Sequence, residues 1–64
     1  MWQKKKYYWN VSWRGKTIWE DYFSDSKDFD TESDACMFSM ELMMDERNSS
    51  ITLKKIMTWE KVNV

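Results

Sequence analysis

The chain has 64 residues, among them five tryptophans, six methionines, one glycine, one cysteine, no proline and no histidine, and its formal net charge is −1. A chain of this length holds one domain, 1–64, and buries only about 60% of its unfolded surface, so one core supplies roughly 3–5 kcal/mol. The lone Cys36 and the lack of histidine exclude an internal disulfide and a Cys/His zinc site, which leaves aromatic bulk and oligomerisation as sources of stability.

A net charge near zero conceals three blocks. Residues 1–19 carry Lys4, Lys5, Lys6, Arg14 and Lys16 with no acid. Residues 20–46 carry ten acids against Lys27 alone, a block charge of −9, and residues 47–64 are again basic, at +3. Charge segregated in this way informs about partners rather than fold. One cysteine beside six methionines suits a reducing interior. The opening MWQKKKYYWN lacks the apolar run of a signal peptide, and no stretch reaches the ~18 apolar residues of a membrane span. The expected setting is cytoplasmic, the interior of a host cell, with no membrane contact.

In chain order, Met1–Gln3 read as a frayed end. A first strand is expected from about Lys5 to Trp13, with Tyr7, Trp9, Val11 and Trp13 on one face and Tyr8, Asn10 and Ser12 on the other. The only glycine suggests a tight turn at Trp13-Arg14-Gly15-Lys16. A two-residue loop would pair Val11 with Ile18, and a three-residue loop would place Gly15 in the left-handed region. Either loop needs Gly15 at positive φ, so Gly15→Val is expected to damage folding. A second strand follows over about Lys16–Phe23. It is apolar on both faces and so reads as central or partner-covered. Residues 24–33, rich in Asp and Ser, read as a loop.

A helix is expected from Thr31 or Ser33 to Arg47. Thr31 with Asp34 approximates a capping box, acids occupy the first turn, and Arg47 and Asn48 suit the far end. Ala35, Phe38 and Leu42 form one stripe at helical spacing, and Met37, Met40 and Met44 form a second, nearly opposite. Residues 51–59 read as a third strand with a bulge at Lys54-Lys55, although Leu53, Ile56 and Met57 also suit a helix. The fold class is thus α+β: a ββαβ domain with an N-terminal antiparallel hairpin and one helix packed on a three-stranded sheet.

Candidate chemistry is sparse. No phosphate loop can be built on one glycine, and no cofactor is implied. Cys36 lies mid-helix among acids that raise a thiol pKa, so no catalytic residue is assigned and the chain reads as no enzyme. Asp28, Asp30, Glu32 and Asp34 alternate as in a calcium loop, but an EF-hand starting at Asp28 would need Gly at Ser33 and Glu at Ser39, so no metal site follows. Capping and solvation account for these acids one by one. As a block they can imitate phosphate spacing and meet a basic site on another protein.

The resulting expectation is a non-catalytic protein-binding modulator of the type that viruses and phages direct against host defence enzymes, an inference by analogy of type only. Its partner surface would comprise Asp25, Asp28, Asp30, Glu32 and Asp34 with Trp19 and Phe23 as aromatic anchors, facing a host protein with a basic site. Met37, Met40 and Met44 would form a homodimer interface; as core they would need no partner. A second reading is a hairpin that stacks single-stranded nucleic acid on aromatics flanked by Lys4, Lys5, Lys6, Arg14 and Lys16. A third is a structural subunit of a larger assembly.

Overall fold

The computed structural model describes the backbone of residues 2–62 and the side chains of residues 3–61. Strand β1 (Trp2–Lys16) is followed by β2 (Tyr22–Phe29), helix α1 (Glu32–Met43) and β3 (Ser49–Val62). The strands form one antiparallel sheet in the order β2-β1-β3, with the helix laid over one face. This is the expected α+β arrangement with an N-terminal hairpin. Strand β1 is longer at both ends than its alternation suggests, and Trp2 and Gln3 belong to it rather than to a frayed end. Met1 lies outside the described residues.

The hairpin turns four residues later than the glycine suggests, centred on Trp19 rather than Gly15. Lys16 pairs with Tyr22 and Trp9 with Phe29, so neither register centred on Arg14-Gly15 forms. Thr17 builds the turn. Its N–H donates to the Asp21 carbonyl at 2.8 Å, its carbonyl accepts from Glu20 N–H at 3.0 Å, and its hydroxyl accepts from Trp19 and Asp21 N–H. Glu20 takes the left-handed conformation at φ 66. A turn closed by one left-handed residue is the geometry expected of a three-residue hairpin loop, but a glutamate supplies it.

Gly15 stays in β1, buried and without positive φ. Its need is steric. Gly15 pairs directly with Phe23, whose ring lies over the bare backbone. A Cβ added there would fall 2.6 and 2.9 Å from ring carbons Cε1 and Cε2, and nearer still to Cζ. An aromatic covering a strand glycine restores the packing that glycine lacks.

Residues 24–29, polar enough to read as a loop, are strand because β1 offers them a ladder. Strand propensity yields to such context. Strand β2 is an edge and β1 the central strand, the reverse of the expectation from two-sided apolar character. Strand β3 begins and ends beyond 51–59 and excludes the helical alternative. Its irregularity is not at Lys54-Lys55. The register shifts between Ser12 and Arg14, where Trp13 stands opposite Ser50 and Ile51 and Ser50 turns left-handed at φ 52.

Thr31 caps α1, accepting from Asp34 N–H at 3.2 Å, with Glu32 and Asp34 in the first turn. The helix stops at Met43, well short of Arg47, and no basic residue lies in its last turn. Asp45 draws the chain away by accepting from Arg47 N–H, and Asn48 Nδ2 returns to cap the Leu42 carbonyl at 3.1 Å. Ala35 is fully buried, while Phe38 and Leu42 are half-buried, so the first apolar stripe does face the sheet. Phe38 meets Trp13 edge-on at 5.3 Å and Phe29 at 5.2 Å. Val11 lies beneath, paired with Lys27 and Leu53, at 0% exposure.

Two outcomes test this account. Gly15→Ala is expected to cost about 1 kcal/mol in urea unfolding by overpacking against Phe23. The cost should vanish in a Phe23→Ala background; an unchanged cost would point to backbone strain instead. Glu20→Gly should stabilise the fold by up to about 1 kcal/mol by relieving a left-handed non-glycine residue. The exposed Lys16–Glu20 pair at 3.9 Å is worth little against this gain.

Candidate functional site

The fold keeps few large side chains to itself. Among the described residues only Val11 and Ala35 are buried hydrophobics, whereas twelve large apolar side chains remain exposed. The radius of gyration is 15.3 Å, against about 11 Å expected for a compact chain of this length. The principal extents, 53 × 21 × 14 Å, describe a ribbon.

Exposed apolar groups gather in three places, one of them the far end of the ribbon, where Tyr7 pairs with Met57 and Trp59 lies on the same face. At the hairpin tip Ile18 and Trp19 are 72% and 78% exposed, held out by the Thr17 turn. On the outer face of α1, Met37, Met40 and Met44 are exposed together, Met44 at 86%. Met43 and Cys36 flank them and are also exposed. The three methionines share this face because their spacing returns them to one side of a 3.6-residue helix, opposite Ala35 and Ser39. Ser39 spends its hydroxyl on the Cys36 carbonyl at 2.9 Å, so burial leaves it satisfied.

The acidic residues do not converge on one face. Asp25 pairs with Trp13 on the helix side of β2 and accepts from Ser26 N–H, while Asp28, on the reverse side, accepts from Asn10 Nδ2 at 2.8 Å. Asp30, Glu32 and Asp34 cluster at the junction of β2 and α1, all exposed. Trp19 and Phe23 lie at the hairpin end of β2, roughly 23 Å from that junction at about 3.3 Å per residue. The acidic junction and the aromatic tip are therefore separate surfaces. No group of three acids or thiols is placed to hold a metal ion among the described residues.

Apart from the Lys16–Glu20 pair, the cations Lys27 and Lys55 reach aromatic rings. Lys27 Nζ stands 5.5 Å from the Phe29 ring and 5.3 Å from Phe38. Lys55 Nζ lies 4.5 Å from the centre of the Tyr7 ring and 5.9 Å from that of Trp9. On the other face Arg14 lies 4.7 Å over Tyr22, with Lys16 at 5.6 Å. Such stacking holds cations along the sheet. Except for Lys27 with Phe29, two residues apart on β2, these pairs were hidden in the sequence because the residues that meet belong to different elements.

An open depression of about 290 Å³ is lined by Ser12, Trp13, Arg14, Ser24, Asp25 and Ser50. No helix among the described residues is long and apolar enough to cross a membrane. No protein-family model, curated protein or solved structure matches the chain.

One ionisable pair is strong enough to read. Hydrogen bonds from the Arg47 side chain and backbone hold the Asp45 carboxyl below its ordinary value. A lowered folded-state pKa favours the fold above the ordinary carboxylate value, and the contribution fades as pH falls through the lowered one. Arg47→Ala, which keeps the backbone N–H bond, should raise the Asp45 carboxyl titration, followed by NMR, only part of the way toward the ordinary carboxylate range.

Proposed function

We propose that the protein is a non-catalytic modulator that works by contact, covering a surface of a larger host protein inside the cell in the manner of virus- and phage-encoded inhibitors. The observation that carries this reading is the imbalance between two buried hydrophobics and twelve exposed large apolar side chains among the described residues. Exposed patches of this kind mark interaction surfaces. Trp19 on the hairpin tip is the anchor, since tryptophan is enriched among residues that dominate binding energy. The acids at the junction of β2 and α1 form a second contact toward a basic site and make capture sensitive to salt.

The methionine face of α1 is assigned to a second copy of the chain. Flexible thioethers adapt to a facing surface, and a two-fold axis places the same stripe on both partners. The nucleic-acid reading ranks lower because Lys55 lies over Tyr7 and Arg14 over Tyr22, so one face of each of these rings is already taken.

Light scattering across concentration, with and without a labelled single-strand oligonucleotide, separates these readings. A dimer that ignores the oligonucleotide is expected, and a monomer whose mass rises with it would overturn the ranking. Replacing Met37, Met40 and Met44 together by Ser should give a monomer while each change alters folding stability by no more than about 0.5 kcal/mol. Trp19→Ala should weaken partner capture about tenfold or more with the urea midpoint unchanged.

A further inference from the structure

Strand β1 is paired unequally on its two sides. Strand β3 runs beside it from Trp2 onward, but β2 covers only Trp9–Lys16. The edge of Trp2–Tyr8 that faces away from β3 therefore carries no strand among the described residues. This open edge continues the row that β2 vacates at Phe29, over roughly 20 Å at about 3.3 Å per residue. A row of unmatched backbone donors and acceptors is a template for a further strand.

Three successive lysines occupy the middle of that edge. Lys4 and Lys6 lie on one face of the ribbon and Lys5 on the other, so both faces are cationic. All three are exposed, and among the described residues no carboxylate stands within ion-pair distance of them. Strand β1 itself contains no acid. Only Glu60 pairs across from the triplet, opposite Lys4, whereas Lys5 faces Trp59 and Lys6 faces Thr58.

These charges discriminate between occupants. A second copy adding its own β1 edge antiparallel about Lys5 would oppose Lys5 to Lys5 and Lys4 to Lys6, and like charges directly opposite destabilise a sheet. Nucleic acid would satisfy the charges but leave the strand edge unmatched. An extended acidic segment of another protein satisfies both.

We propose that the Trp2–Tyr8 edge of β1 is a binding site for an acidic, extended peptide segment of a partner protein, which adds as a strand beside it. Main-chain hydrogen bonds hold the segment, and its carboxylates meet Lys4, Lys5 and Lys6. This rests on the contact function proposed above and names a part of that contact.

The probe is a blocked seven-residue peptide of alternating Glu and Val, titrated into the full chain and followed by amide NMR. Shifts and slowed amide exchange confined to residues 2–8 are expected, weakening with salt. Of two versions N-methylated at alternate amides on one edge or the other, the one blocked on the edge that meets β1 should lose binding, as should the Lys-for-Glu counterpart. Lys5→Glu with Lys6→Glu, which oppose no acid across the ribbon, should weaken binding about tenfold or more with the amide spectrum still that of a folded chain. Equal binding of the N-methylated peptides would overturn the proposal by leaving charge attraction alone. Tighter binding of an oligonucleotide at residues 2–8, or self-association mapped there, would overturn it in favour of those occupants. A protein partner held equally well by the Lys5→Glu, Lys6→Glu chain would overturn the edge site while leaving the contact function standing.

Discussion

The ladder between β1 and β3 is the constraint on which the other elements depend. It runs from Trp2 opposite Val62 to Arg14 opposite Ser49, nearly the full length of both strands. Strands this far apart in sequence can pair only after the helix has carried the chain back across the sheet. Loop closure must be met before the ladder returns anything. The result is a long ribbon whose core is confined to the end where three strands and the helix overlap. There Val11, Ala35 and Gly15 are small enough to let the layers approach, and Trp13, Phe29 and Phe38 close the space around them.

That geometry explains why so much apolar surface faces outward. A helix of twelve residues laid on a strongly elongated sheet can turn only one stripe inward. The opposite stripe has nothing within the chain to cover it. The hairpin tip, projecting beyond the helix, is in the same position. Exposure of Trp19 and of the methionines is a consequence of how little sheet the helix can shield, and contact with another chain is the arrangement that would remove it from water.

The sequence was read correctly where local periodicity and capping decide structure. Alternation in Tyr7, Trp9, Val11 and Trp13 placed these residues on one face, and helical spacing separated Ala35 and Phe38 from Met37 and Met40. The Thr31 cap was legible from residue type alone, since its hydroxyl serves an amide only three residues on. The candidate site was legible in part. The spacing and bulk that make the methionine face and Trp19 candidates are local properties and were legible, while the open edge of β1 was not, because nothing local records that β2 stops beside Trp9.

Residue identities by themselves determined the element order, the faces of β1 and α1, and the charge blocks, because these follow from side-chain size, polarity and separation along the chain. Tertiary structure decided the rest. It placed the turn at Thr17 rather than Gly15, made a strand of polar residues 24–29, and ended the helix at Met43. It also dispersed the acids of one block over two faces of β2 and the start of α1. Each of these depends on which backbone groups find partners across the sheet, and that pairing is set by long-range register rather than by the residues' own preferences.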